Sequence, residues 1–376
     1  MLGAGFGGLE VAATLSAEFG ADLDLTLVDS AGGFVFGFSK LDVMFGKHDA
    51  AAVVHPYDAL SLPGVRFLRA AVRAIDPEAK RVDTAAGALD ADVLVVALGA
   101  DLDPAATPGL VEGGHEFYTV DGAFALRDVL AGFGGGEVVV GVTSTPFKCP
   151  PAPSETALLM HDLLRDRGLL GSSRVTLVLP MPKPVPPSPA ASAAILDAFE
   201  QRGIQWRPNR RVASLDPARH VAVLDDGDEI PYDLFLGVPV HRAPAVVVES
   251  GLAVDGWIPV DPYTLQTAFP DVYAVGDVTS VGTPKAGVFA EGQAAVVASR
   301  IAARLRGDTN SSAYDGRGVC YVELGRGAVA KVDVTFTPGQ MPVGGLEGPS
   351  PELAKDKEEF GRSRIARWFG PPSIAQ

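Results

Sequence analysis

The stretch Leu2-Gly3-Ala4-Gly5-Phe6-Gly7-Gly8-Leu9-Glu10-Val11-Ala12 opens the chain with Gly-x-Gly-x-x-Gly and a small residue four positions on. Between a strand and a helix, each glycine has a steric reason. Gly3 makes the tight turn, Gly5 lets the backbone approach a pyrophosphate, and Gly8 lets helix and sheet pack closely. The phosphates then sit at the helix N-terminus, where unpaired N–H groups and the helix dipole favour an anion. Alone the motif is weak, but the run Leu25-Thr26-Leu27-Val28 ends in Asp29, near the roughly 20-residue spacing at which a carboxylate meets ribose hydroxyls. A flexible turn followed by a surface acid is the plainer alternative; the combined pattern favours a dinucleotide loop. Only Met1 and Leu2 stand where a strand of about five residues is usual. The expectation is a true start upstream and poor cofactor retention without those residues, with export of a longer form as an open alternative to a cytoplasmic location.

Outward from this loop, apolar strand-like runs alternate with helical stretches, the pattern of an α/β chain with parallel sheets. Strands are expected at 25–28, 93–97, 138–142, 175–178 and 272–275, and helices at 9–19, 154–167, 192–202 and 289–305. The alternation occurs twice, so the expected fold has two Rossmann-like dinucleotide-binding domains, the first interrupted by the second. Glycines at 134–136 and the proline-dense run 180–189 read as loops. Past Gly307, β-like runs at 319–324 and 329–336 precede a Gly/Pro-rich turn and a helix over 351–369, a small C-terminal α+β domain. The expected segments are 1–115, 116–250 (a second domain lacking a nicotinamide glycine loop), 251–306 (the first domain resumed) and 307–376 (an interface domain).

At 376 residues the chain exceeds what one core organises, and 47% hydrophobic against 20% charged residues excludes a disordered composition. A net charge of −15 argues against a nonspecific hold on nucleic acid. No apolar run approaches the ~18 residues of a membrane span, and no leader precedes the glycine loop, so the expected location is cytoplasmic, with peripheral membrane contact as a further expectation. The two cysteines, Cys149 and Cys320, are too few for a stapled scaffold and enough for one redox pair. The six histidines, Trp206 and Met341 show no motif spacing, and no metal cluster is legible.

The segments Ala91–Ala100 and Pro270–Asp277 resemble the two later fingerprints of FAD-binding flavoproteins of the pyridine nucleotide-disulfide oxidoreductase superfamily. The resemblance implies FAD as cofactor, with Gly99 and Gly276 in the fingerprint turns, Asp277 at the ribityl and pyrophosphate region, and the backbone of Val72 at the adenine. Near Gly287 a helix opens toward the pyrimidine edge of the flavin. Lys285, just before it, is either a cation that stabilises negative charge on reduced flavin or a solvated loop lysine. Two-nucleotide members carry a second glycine loop where this chain reads Gly136-Glu137-Val138-Val139-Val140-Gly141-Val142-Thr143-Ser144-Thr145-Pro146. Without Gly-x-G-x-x-Gly there, side chains fill the space a pyrophosphate needs, which disfavours NAD(P)H.

Cys149-Pro150-Pro151-Ala152-Pro153-Ser154-Glu155 is similar to the Cys-Pro-Pro-x-Pro-x-Glu segment of flavocytochrome c sulfide dehydrogenase and sulfide:quinone oxidoreductases, and Gly318-Val319-Cys320-Tyr321 resembles their second cysteine segment. With Phe34–Lys40 and Pro284–Gln293 the resemblance covers nearly the whole chain, and two cysteines place it nearer the two-cysteine branch. It implies oxidation of sulfide or a small sulfur compound through a Cys149/Cys320 disulfide, with electrons passing via flavin to a quinone or a cytochrome c-type acceptor. A cytochrome acceptor needs a separate haem subunit, since Cys-x-x-Cys-His is absent. Cys149 is assigned as the persulfide-bearing sulfur and Cys320 as the flavin-facing one, the reverse staying open. Both are alternatively buried small hydrophobes. Glu155 is either a proton carrier or the acid of an N-cap pair with Ser154. In the tail, Leu353, Phe360, Ile365, Trp368 and Phe369 form an apolar face, with acids early and Arg362, Arg364 and Arg367 late. That helix docks on the body or rests as a basic-aromatic foot on a membrane. A type II NADH dehydrogenase-like flavoprotein and a noncatalytic FAD-binding redox sensor are the rival readings.

Overall fold

The computed structural model describes residues 1–308 and 312–370. Leu25–Asp29 pairs in parallel with Val65–Arg69, and Leu94–Val96 pairs in parallel with Val272–Ala274. Leu2 stitches these pairs into one sheet by bridging Val28 on one side and Val96 on the other. Strand residues alternate between faces. Val95 therefore joins Val11, Leu15, Val297 and Ile301 beneath the helices Phe6–Phe19 and Gly287–Arg306, while Leu94 and Val96 join Ile75 and Val82 under the antiparallel strands Val72–Asp76, Arg81–Thr84 and Gly87–Asp90. Burial on both faces is why these strands read as continuous apolar runs.

A second parallel sheet has the order His115–Glu116, Leu234–Val238, Glu137–Val142, Arg174–Leu179, Gln205–Pro208. The helices Ala152–Asp166 and Pro189–Arg202 bury Leu158, Leu164, Ile195 and Phe199 against Val138, Val140 and Leu177 on one face. Val139, Val178 and Phe235 pack on the other face against strands Val212–Asp216 and Val221–Leu224. The fold is thus α/β with two Rossmann-like sheets. His115 belongs to the second sheet, pairing with Leu236, so the expected boundary between 115 and 116 cuts a strand.

The last part is an antiparallel sheet of Arg317–Glu323, Val329–Thr335 and Val343–Ser350, followed by the helix Glu352–Phe369. The third strand corrects the turn expected there. Gly344 is steric: a Cβ there would lie 2.7 Å from Val334 and 2.8 Å from the Pro187 carbonyl. Helices also begin two or three residues earlier than their apolar periodicity, at Phe6, Ala152, Pro189 and Gly287, because Gly and Pro tolerate the first turn, where the N–H groups are unpaired in any case.

The tail helix docks on the body. Trp368 is completely buried, Leu353 and Phe369 nearly so, and Phe360 and Ile365 are half-buried against the cluster of Phe34, Phe36 and Tyr57. Most of the apolar surface of this helix is thus spent on the protein itself. No helix among the described residues is long and apolar enough to cross a membrane.

Candidate active site

The dinucleotide loop carries the geometry its glycines require. Gly3 has φ +94°, and a Cβ on it would sit 2.2 Å from the Ala97 carbonyl oxygen. A Cβ on Gly8 would lie 1.9 Å from the Gly3 carbonyl oxygen, whereas Gly5 faces open space with nothing within 4 Å. The helix behind them has Gly5 as N-cap, no capping side chain and no acid in its first turn, so its N-terminal amides face outward. Asp29 anchors the turn, accepting the Ala4 N–H at 2.7 Å and the Ala31 N–H at 2.8 Å, and the Tyr57 hydroxyl donates to the Ala4 carbonyl at 2.7 Å. The cradle and the outward amides fit a pyrophosphate. Gly8→Ala is expected to yield colourless protein: a backbone clash under 2 Å cannot be relieved by a rotamer, and the flavin absorbance of the purified variant checks it.

Three further predicted positions lie at strand ends. Val72 opens its strand opposite Thr84, and Gly99 follows Leu94–Val96 with φ +70° and open space beside it. Gly276 has φ +80° and donates its N–H to Gln293 Oε1 at 2.7 Å. Asp277 follows, its carboxyl raised by burial against the lowering fields of Lys148, Lys285 and Lys40. Lys285 is not a solvated loop residue. It is buried, its Nζ donates to the Asp277 carbonyl at 2.6 Å and the Thr279 carbonyl at 3.1 Å, and it lies 3.2 Å from the Trp257 ring centroid. Burial brings it down to about 8. Its ammonium braces the Gly276–Asp277 turn.

Lys285 also joins this region to the cysteines, because its carbonyl accepts the Cys149 N–H at 2.7 Å. Cys149 lies on the connector between strand Glu137–Val142 and helix Ala152–Asp166, where a second phosphate-binding turn would stand. The connector carries Pro146, Phe147, Pro150 and Pro151 and no glycine. Cys149 holds φ 51°, a left-handed conformation uncommon outside glycine and frequent at functional positions. Cys149 is an exposed residue, while Cys320, on Arg317–Glu323, is half-buried; both are free thiols. Desolvation pushes Cys149 up to about 12, with the Glu155 field adding and Lys40 opposing. Burial and then the Cys149 field raise Cys320 further. The two sulfurs therefore sit in one electrostatic neighbourhood.

Glu155 lies in the same neighbourhood. It is buried, and its Oε1 accepts the Glu323 N–H at 2.8 Å, tying the helix that follows Cys149 to the strand carrying Cys320. Desolvation pushes its carboxyl up to about 7, against the lowering effects of Lys357 and the Glu323 N–H. The capping pair is not formed: the helix begins at Ala152, and the Ser154 hydroxyl is buried without a hydrogen-bond partner.

Three pocket residues escaped the sequence reading. Lys40 donates Nζ to the Tyr118 carbonyl and is brought down to about 7, chiefly by burial and then by Lys148, with Cys149 opposing. Tyr118 and His241 meet edge to face at 5.4 Å, and the Tyr118 hydroxyl and His241 Nε2 are buried without partners. Burial, then Lys148, lowers His241 to about 4, so it is neutral at physiological pH. Lys40 closes the Phe34–Lys40 segment, which was the one available signal; Tyr118 and His241 stand in no motif. Lys40→Met is expected to raise the Cys149 thiol further by removing its compensating cation, an effect measurable as slower alkylation of the reduced protein.

The family model for pyridine nucleotide-disulphide oxidoreductases matches residues 1–300. A sulfide-quinone reductase of Aquifex aeolicus is 26% identical over 355 residues, covering 87% of this chain and 81% of that protein. An NADH dehydrogenase-like protein of Mycobacterium tuberculosis is 29% identical over 235 residues, 59% of this chain and 57% of that one. The crystal structure of the Aquifex aeolicus sulfide:quinone oxidoreductase superposes with a TM-score of 0.85 at 22% identity, over 99% of this chain and 92% of that one. NDH2 of Plasmodium falciparum, solved with NADH, superposes at 0.73 with 12% identity, over 98% and 96%. With an open glycine cradle, an acid-anchored turn and a Gly-Asp strand end at one sheet, this chain belongs to the pyridine nucleotide-disulphide oxidoreductase family and is an FAD-dependent oxidoreductase.

Proposed function

We propose that this enzyme oxidises sulfide, opening a Cys149–Cys320 disulfide and delivering the electrons through FAD to a quinone. The observation that carries this reading is the common electrostatic neighbourhood of the only two cysteines and Glu155, with Cys149 on a connector that lacks the glycines of a second nucleotide loop. Gly3, Gly5, Gly8 and Asp29 would hold the FAD pyrophosphate and ribose, Val72 the adenine, and Gly99, Gly276 and Asp277 the middle of the cofactor. Bound FAD supplies a two-electron acceptor.

The protein supplies the sulfur chemistry. Hydrosulfide attacks Cys149, the more exposed cysteine; the Cys149–Cys320 bond breaks, a sulfur–sulfur bond forms on Cys149, and Cys320 leaves as thiolate. A second hydrosulfide displaces disulfane and frees Cys149 as a thiolate, and the two thiolates would re-form the disulfide by giving up two electrons, the capacity that bound FAD would supply. Glu155, poised near neutrality, takes the proton that hydrogen sulfide loses on becoming hydrosulfide. Quinone as acceptor rests on the likeness to sulfide:quinone oxidoreductases.

The likeness to NADH dehydrogenase-like proteins favours a second reading, in which NADH is the donor. Anaerobic mixing of the flavin-loaded enzyme with sulfide and, separately, with NADH distinguishes them. Rapid bleaching by sulfide alone is expected, and bleaching by NADH alone overturns the proposal. Glu155 adds a pH test. Its folded pKa lies above the unfolded carboxylate value, so the stability linked to it is present at low pH and lost as pH rises through about 7. Glu155→Gln keeps the acceptor for the Glu323 N–H and removes the buried charge. Its stability relative to the parent should rise from pH 5 to pH 8 by on the order of 3 kcal/mol, read from denaturant titrations, while sulfide-driven bleaching slows.

A further inference from the structure

The two cysteines stand on elements that only tertiary packing joins. Cys149 is tied to the start of the helix Ala152–Asp166, its carbonyl accepting the Ala152 N–H at 2.9 Å. Cys320 rides on the hairpin of Arg317–Glu323 and Val329–Thr335, opposite Val332. Their relative placement therefore depends on how the hairpin lies along the helix. Glu155 fixes one point, accepting the Glu323 N–H at 2.8 Å. Two helical turns further on, Asp162 Oδ2 accepts the Arg326 N–H at the tip of the hairpin. Residues seven apart share a helix face and stand about 10 Å apart along its axis. One hydrogen bond fixes a distance; a second at that spacing also fixes the direction of the strand.

The tip is shaped for this bond. Gly325, Arg326 and Gly327 all hold left-handed backbone, at φ +76°, +54° and +72°. The turn closes as Leu324 donates to the Ala328 carbonyl at 2.9 Å and Ala328 to the Gly325 carbonyl at 3.0 Å, which leaves the Arg326 N–H for Asp162. Contact is so close that a Cβ on Gly325 would lie 2.7 Å from Asp162 Oδ2 and 3.3 Å from Arg202 Nη2. The left-handed conformation of a residue with a Cβ costs roughly 1–2 kcal/mol, and a charge-assisted hydrogen bond offsets it. The carboxylate is itself held: it is largely buried, and its Oδ1 pairs with Arg165, one turn on, at 3.2 Å. Asp162 stands about 15 Å along the helix from Ala152, so it acts on the sulfurs only through the elements that carry them.

We propose that Asp162 is a positioning residue for the cysteine pair, holding the tip of the hairpin so that Cys320 meets Cys149 at bonding separation. This rests on the Cys149–Cys320 disulfide of the proposed function. The test is the equilibrium of the flavin-loaded enzyme with glutathione, in which two glutathione thiols reduce the disulfide to two cysteine thiols and leave as one oxidised glutathione. Free thiols are counted by alkylation, and melting temperature and flavin content are read alongside. Asp162→Ala removes the acceptor of the Arg326 N–H, and Asp162→Asn keeps one. Val139→Ala, on the far face of the second sheet, is the control for a general loss of stability. Asp162→Ala is expected to make the disulfide at least about tenfold easier to reduce, with Asp162→Asn within about threefold of the parent. Val139→Ala should lower the melting temperature and leave the equilibrium where it was. An unshifted Asp162→Ala overturns the proposal, as does Asp162→Asn shifted as far as Asp162→Ala, or Val139→Ala shifted alike. A parent enzyme that keeps two free thiols in oxidised glutathione strikes the proposed function itself, and the role of Asp162 with it.

Discussion

Cys149→Ser and Cys320→Ser are each expected to suppress sulfide-driven bleaching of the flavin by at least about a thousandfold, the scale on which enzymes lose rate with an essential nucleophile. The physical reason is that hydrosulfide needs a sulfur–sulfur bond to open, and a serine hydroxyl neither forms one nor accepts one. The two losses should be nonadditive, the double variant being no slower than either single one, because the pair acts as a unit. Flavin content should stay near that of the parent, since Cys149 holds its connector through a backbone N–H to the Lys285 carbonyl and Cys320 is paired with Val332 by strand register. Stopped-flow absorbance under anaerobic conditions, with flavin content measured alongside, checks both parts. Bleaching that survives in either variant would rule out the disulfide route.

Trp368→Ala is expected to cost about 3–5 kcal/mol of stability, the range for emptying a large buried aromatic site, and to loosen FAD as well. Trp368 has no exposed surface; its ring centroid lies 5.4 Å from Phe6, 5.5 Å from Phe34 and 5.8 Å from Phe36. Its Nε1 donates to Glu10 at 2.7 Å, and Arg367 grips the same carboxylate at 2.8 and 3.0 Å. Phe6 and Glu10 both belong to the helix that starts at the dinucleotide loop, so the last turn of the tail helix holds the first turn of the cofactor site. Trp368→Phe keeps most of the ring volume and loses only the N–H, a change of about 1–2 kcal/mol. Thermal melts and flavin release on dilution check the series. Unchanged flavin release in Trp368→Ala would sever the link between tail and cofactor.

The other end of the tail helix reaches the sulfur pocket. Lys357 pairs with Glu323, whose N–H donates to Glu155, and Asp356 accepts the Tyr321 hydroxyl at 2.7 Å, one residue from Cys320. One helix thus touches both the glycine-loop helix and the cysteine strand. That is why its apolar face, read from sequence alone, suited a membrane as well as a docked element: composition records that a face is apolar, not what covers it.

What the sequence by itself determined is local. The glycine spacing, the acid at the end of the next strand and the absence of a second glycine loop are short-range patterns whose steric reasons hold wherever the segment folds, and they mark a dinucleotide-binding α/β chain with two Rossmann-like sheets, FAD being what the family resemblance of the Gly-Asp strand end implies. Periodicity located the long helices and the buried strands, and missed the Val343–Ser350 strand because its glycines and proline mimic a turn. The tertiary structure alone decided which distant groups share an environment. Burial, a property of the whole fold, made Glu155 a near-neutral carboxyl and lowered Lys40 beside Cys149, and the same packing set His241 against Tyr118, turned Lys285 into a brace and gave the tail its partners. Desolvation and Coulomb fields act through space and fall off with distance between atoms, not with separation along the chain, so no spacing of letters encodes them.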